Sequence, residues 1–196
     1  MHIFSVTNRI DQVLHADKQW LEMFYTRHCC SVCHNPAYVM PGAIDVVVQE
    51  KPKAPCVGVW HCSCRIYRFD LWLIIGPTLR PHSLSDVMRK DRLVKGYLSV
   101  IFGDTVRVGS CGTDGIRRTQ CPGCGRVLQN PIGDEYFRQA DILGRNAFVS
   151  TGGAGLYITE ALREKIPPDI TAELKFTPIP VREGPLPKIV SEKWRL

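Results

Sequence analysis

The sequence predicts an α+β protein, with mixed or antiparallel sheets and short helices stapled by a pair of CxxC knuckles. Three observations carry this. Short runs rich in Val, Ile, Tyr, Phe and Trp recur between Pro and Gly breaks, the pattern of strands. Helical periodicity is confined to short stretches. The third is the recurrence of one local motif, Cys30-x-x-Cys33 and Cys121-x-x-Cys124, far apart in the chain. Of 196 residues, 44% are hydrophobic and 22% charged. That is enough apolar material for a core, and it excludes disorder, collagen and coiled coil.

In chain order, His2 to Thr7 reads as a first strand, and residues 17–25 as a short helix or an irregular apolar lead-in. A cysteine cluster at 28–34 is closed by the turn signal Asn35-Pro36. Ile44 to Gln49 is β-branched and strand-like, and Pro52 and Pro55 mark a connection after it. Residues 56–75 predict a long hairpin or two buried strands, broken by Pro77 and Pro81. Ser83 or Ser85 can cap a helix beginning near Asp86, with Leu84, Val87, Met88 and Leu93 inward. Thr105 to Val108 is a further strand candidate.

Asp134-Glu135 reads as the start of a helix containing Tyr136 and Phe137. Ala147 to Ser150 reads as a strand, Gly152 to Gly155 as a loop, and Thr159 to Ile166 as a helix stopped by Pro167-Pro168. Ile170, Ala172, Leu174 and Phe176 alternate with polar residues, a strand period. The organisation is a single domain over 1–196, with knuckle elements at 28–36 and 119–127. A β-rich segment is inserted at about 44–115, and 178–196 is an extended Pro-rich tail.

The nine cysteines carry the chemistry. Two thiolates three residues apart on a tight turn reach one metal ion, and two such knuckles complete a tetrahedral four-thiolate site. Cys30, Cys33, Cys121 and Cys124 are therefore expected to bind a structural Zn2+ in a zinc-ribbon-like pair of knuckles. Cys29 competes with Cys30 as ligand, and His28 or His34 can replace a thiolate. Cys62-x-Cys64, with Cys56 and His61 nearby, fits either a second metal site or inward packing among Trp60, Ile66 and Trp72. Cys111 has no sequence partner and reads as structural. An odd count without a secretory signal argues against a disulfide framework and for a cytoplasmic protein. The longest apolar run, Leu71 to Ile75, is too short for a membrane span.

The net charge of +6 is uneven. Residues 80–126 hold nine basic and four acidic side chains, against seven and six in 1–79 and two and four in 127–162. Arg89, Arg92, Arg117, Arg118 and Arg126 define a candidate phosphate-contacting surface, but the stretch has only Tyr97 and Phe102 for base stacking. A solvated helix face accounts equally for Arg89 to Lys95. The loop at 150–155 lacks both dinucleotide-binding and P-loop signatures. No catalytic constellation is legible, so the chain reads as a non-enzyme.

The separated CxxC pairs, the second as Cys121-Pro122-Gly123-Cys124-Gly125, resemble those of the bacterial double-CXXCG-motif immunity proteins, which are associated with polymorphic or contact-delivered toxins. The likeness extends over about residues 120–180. There Ala147-Phe148-Val149-Ser150, Thr159-Glu160-Ala161-Leu162 and residues 172–179 look like the closing pattern of that family. The first pair has His34 where the motif has glycine. The resemblance implies a cytoplasmic protein that binds and neutralises a cognate toxin without turnover. The alternative, read from the charge, is a zinc-ribbon nucleic-acid-binding protein using the five arginines above.

Overall fold

The computed structural model describes residues 1–33, 45–60, 64–79, 81–102, 109–110, 115–125, 127–132, 135–149, 155–183 and 189–193. The chain begins with β1 (Ile3–Asn8), β2 (Val13–His15) and α1 (Lys18–His28). It continues through β3 (Val46–Val47), β4 (Cys56–Trp60), β5 (Cys64–Arg68) and α2 (Phe69–Ile75). Next come β6 (Pro81–Arg89), β7 (Arg92–Phe102), β8 (Gly109–Ser110), β9 (Gly115–Gln120) and β10 (Val127–Ile132). Then follow β11 (Glu135–Arg138), α3 (Gln139–Ile142), β12 (Ala147–Val149) and β13 (Leu156–Thr159). The last elements are α4 (Glu160–Arg163), α5 (Pro168–Glu173), β14 (Leu174–Ile179), β15 (Val181–Arg182) and β16 (Ile189–Ser191). The α+β expectation is met, with mixed sheets and short helices.

The largest sheet has the order β2-β4-β5-β7-β6-β3. Its two edges meet: Ala16, just after β2, bridges Val48, just after β3. Asp17 N–H donates to the Val47 carbonyl at 2.8 Å, and Gln49 N–H to the His15 carbonyl at 3.0 Å. The six strands thus close on themselves, which removes the exposed edges an open sheet would present. Strand alternation sends Leu14, Val46, Val57, Ile66, Val87 and Ile101 to the interior, where they form one buried cluster. Trp20 and Phe24 of α1 join it, their rings stacked 4.9 Å apart.

The opposite face of β5 and β7 packs on a second sheet, β12-β13-β1-β14. Tyr67 and Val100 from the closed sheet meet Val6, Val149, Leu156 and Ile158 from the open one, with Leu71, Trp72 and Ile75 of α2 completing the layer. A third cluster lies beyond, where Phe137 packs edge-on against Phe148 and Tyr157 at 4.9 and 4.6 Å. β13 is buried on both faces, Leu156 and Ile158 in the layer between the sheets and Tyr157 in the cluster beyond. Two three-stranded sheets, β10-β9-β16 and β15-β11-β8, complete the molecule.

Five sequence expectations are corrected. Residues 81–89 form β6 and not a helix starting near Asp86, because Val87 faces the closed-sheet interior while Leu84 faces out. Residues 135–138 are β11, paired with β8 and β15, and the helix starts only at Gln139. Ile170 and Ala172 lie in α5, entered through Pro168 in its first turn, and the strand begins at Leu174. Residues 69–75 are helical, with Asp70 in the first turn accepting from the Leu71 N–H at 2.6 Å. The tail from 178 is partly strand: β14 runs to Ile179 and β15 and β16 follow. Thr105 to Val108 and the loop at 150–154 lie outside the described residues.

Candidate metal centre

Two local structures deliver the cysteines. The first is the end of α1. Asp17 caps that helix, accepting from the N–H groups of Gln19 and Trp20 at 2.9 and 3.2 Å. At the other end the Cys29 N–H donates to the Tyr25 carbonyl, and the chain turns through residues 31–33. This places Cys30 and Cys33 just beyond the helix.

The second is the β9–β10 hairpin, in register from Gly115↔Ile132 to Gln120↔Val127. Cys121 to Cys124 form its tip. Gly125, at φ 72°, takes the left-handed conformation that lets its N–H reach the Cys121 carbonyl at 2.9 Å. Gln120 then donates from its side-chain amide to the Gly125 carbonyl at 3.2 Å. Gly123 is needed for a different reason. A Cβ there would lie 2.7 Å from Cγ2 of Val32 and 3.1 Å from Sγ of Cys30. The two knuckles approach each other across that glycine.

The four Sγ atoms lie within 4.8 Å of one another. Cys30 and Cys121 are separated by 3.8 Å, and Cys33 and Cys124 by 3.7 Å. A tetrahedral ion with metal–sulfur bonds of ~2.3 Å has sulfur–sulfur edges of about 3.8 Å, so these contacts match the edges of such a site. The Val32 N–H points at Cys30 Sγ at 3.4 Å. Backbone N–H groups of Cys33 and Val32 hold the Cys30 thiol down to about 7, against the opposing effect of burial. Cys121 is buried, Cys124 is exposed and the first pair lies between. Four soft thiolates can hold a metal ion, and together they fill a tetrahedron and leave no position for substrate.

The remaining sequence candidates separate cleanly. Cys29 packs against the closed-sheet core and is not in the cluster, so Cys30 is the ligand-positioned member of that pair. Cys56 and Cys64 are both buried, but Cys64 faces the closed-sheet interior and Cys56 the layer between sheets. They cannot share an ion. Cys64 packs inward with Ile66 as expected, but away from Trp72, which lies in the layer with Cys56. His34, His61, Cys62, Cys111 and the side chain of His28 lie outside the described residues.

Sequence reasoning did not anticipate the polar group around Cys56. Arg65 reaches its Sγ at 3.7 Å, beside Tyr67. Burial pushes both the Cys56 thiol and the Tyr67 phenol up, so each stays neutral at ordinary pH. The only sequence signal was an arginine at an outward position within the apolar run of β5. The candidate arginines that are described lie on two different sheets. Arg89 and Arg92 face each other at the far end of the β6–β7 hairpin, and both are exposed. Arg117 and Arg118 belong to β9, on a separate sheet, with Arg118 exposed next to the knuckle. Arg126 lies outside the described residues.

No helix of the described residues is long and apolar enough to cross a membrane. No protein-family model, curated protein or solved structure matches this chain, so geometry and sequence motif carry the functional argument.

Proposed function

We propose that this chain is a non-catalytic immunity protein of the cytoplasm, stapled by a structural zinc ion, that binds and neutralises a cognate bacterial toxin. The observation that carries the reading is the meeting of two CxxC pairs 91 residues apart in one four-thiolate cluster. That is the arrangement a double-CXXCG motif requires if its two halves act together. Four thiolate ligands suit zinc in a closed structural site and give no open position for a bound water or substrate. The cysteines therefore hold the fold, and the binding surface lies elsewhere on the chain.

Metal analysis of the purified protein should find one zinc per chain, lost in Cys121→Ser. For the biological role, the protein encoded by the adjoining reading frame is expressed in cells with and without this chain. Protection from toxicity, together with a stable complex of the two proteins, is the expected result. Absence of protection, combined with retention of duplex DNA or RNA at low salt, would instead establish the nucleic-acid reading.

A further inference from the structure

β7 outruns its neighbour. Its pairing with β5 ends at Tyr97↔Arg68, while β7 itself begins at Arg92. Beyond that point β7 bulges, with five residue steps from Leu98 to Leu93 standing against two from Asp86 to Met88 and Gly96 at φ 82°. The β6–β7 hairpin therefore extends about 10 Å past Asp86, at ~3.3 Å per residue. The projecting end carries Arg89, Lys90, Arg92 and Lys95, all exposed, with Asp91 the one acid among them. Leu93 follows Arg92 in the strand and is 49% exposed. It shares the outward face with Lys95, two residues on, and lies opposite Met88 in register.

This end is poorly arranged for its own stability in two ways. Arg89 and Arg92 are direct cross-strand partners, so like charges oppose each other where a stabilising pair would alternate them. The two-residue turn is Lys90-Asp91, and Lys90 holds φ 53°, a conformation that Asn or Gly adopts more readily. Cations along an unpaired strand edge protect against edge-to-edge association. That accounts for Arg92 and Lys95, but not for a lysine in the turn or for the opposed arginines. Local rules broken together at one exposed tip point to a use for the tip itself. Arg89 is also held in place, its Nε donating to the Gln49 carbonyl at 3.1 Å, so part of its side-chain ordering precedes any binding.

We infer that the Arg89–Lys95 end of this hairpin is the docking element for an acidic protein surface, with Leu93 entering an apolar recess between carboxylates. The inference rests on the immunity reading above and locates the face that meets the toxin. An acidic protein fits better than nucleic acid on two counts. Residues 88–96 contain no aromatic side chain, and Tyr97 is packed against the closed-sheet core, so no base-stacking platform is present. An exposed leucine beside Arg92 adds nothing to phosphate binding but makes a suitable anchor in a protein interface.

The test uses full-length protein and, as probe, the protein encoded by the adjoining reading frame. Arg92→Glu places an acid opposite Arg89, so the variant should unfold at the same temperature as the wild type or higher. Its affinity for the probe should nevertheless fall about 30-fold or more, mostly through slower association at low salt. Leu93→Ser should weaken binding through faster dissociation, and Lys175→Glu, an exposed cation on β14, should stay within about twofold of wild type. Wild-type affinity in both Arg92→Glu and Leu93→Ser would overturn the docking assignment while leaving the immunity reading intact. Equal weakening by Lys175→Glu would reduce the effect to general charge and also overturn it. A wild-type chain that neither binds the probe nor protects against it defeats the immunity reading and the docking face together. Binding of a 20-base-pair duplex that Arg92→Glu abolishes would assign the hairpin to nucleic acid.

Discussion

The closed six-stranded sheet and the β9–β10 ribbon solve the same problem by different means. In the closed sheet, alternate residues of every strand point into one interior, and Leu14, Val46, Val57, Ile66 and Val87 are each at most 1% exposed. Its backbone edges are joined to each other, so apolar burial and closure suffice. The ribbon shows neither among its described residues. Among the described side chains of 118–127 only Cys121 is buried, and the sheet it belongs to has three strands. A hairpin of that size does not bury enough apolar surface to hold itself. There the four-thiolate cluster joins the hairpin to the end of α1, and under the proposed zinc site a metal cross-link takes the place of a core.

The largest effect that separates the two regions is removal of the metal. Structural zinc sites supply ~10–16 kcal/mol of apparent binding energy in small zinc-dependent folds, more than any one core side chain contributes. Chelation, or Cys121→Ser, should abolish amide-exchange protection in β9 and β10 and leave β4, β5 and β7 protected. If β9 and β10 stay protected after full metal removal, the ribbon has a support other than its thiolates and does not differ from the closed sheet in this way.

The opposite perturbation is Ile66→Ala. Ile66 is fully buried in the closed-sheet interior, and truncating such a residue costs about 2–5 kcal/mol. Urea unfolding should register that loss, while zinc content and the metal-binding constant remain at wild-type values. A fall in zinc content in step with the lost stability would show that the regions are one cooperative unit.

The same contrast explains what the sequence revealed. The cysteine cluster was legible because its determinants are local: each CxxC encodes its own turn, and four thiolates have few stable arrangements besides one tetrahedron. Only the long gap between the knuckles needed the structure. Closure of the sheet was not legible, since it depends on one bridge, Ala16 to Val48, between two short strands far apart in the chain. The helix expected near Asp86 failed for a related reason. Leu84, Val87, Met88 and Leu93 are spaced as a helix would space them, yet pairing with β7 assigns them to opposite faces. The hairpin turn is Lys90-Asp91 and carries no Asn-Gly signal to announce it. At α5 the helix-starting proline was present, but a strand period over 170–176 obscured it.

A smaller effect probes where the knuckles touch. Gly123→Ala introduces a methyl 2.7 Å from Cγ2 of Val32 and 3.1 Å from Cys30 Sγ, so the two turns must separate slightly. The expected loss is about tenfold in zinc affinity, the lower end of the range for groups that support metal ligands. Because Val32 is the nearest obstacle, Val32→Ala in the same chain should restore most of that loss. Titration against a competing chelator measures both, and an additive double variant would mean that the clash is not with Val32.

The smallest effect tests α1, which reaches both regions. α1 places Trp20 and Phe24 in the closed-sheet core and leads directly into Cys30. Its start depends on Asp17, which accepts from two backbone N–H groups that would otherwise lack helical partners. Asp17→Ala should cost about 1 kcal/mol in urea unfolding, the usual value for a lost cap. Metal content should stay at one ion per chain, because Cys30 follows the other end of the helix, where the Cys29 N–H still closes the last turn on the Tyr25 carbonyl. Asn in place of Asp17 should recover nearly all of the stability, since its side-chain oxygen accepts the same two bonds. If the Asn variant is as unstable as the Ala variant, the charge of Asp17 near the helix start matters more than its hydrogen bonds.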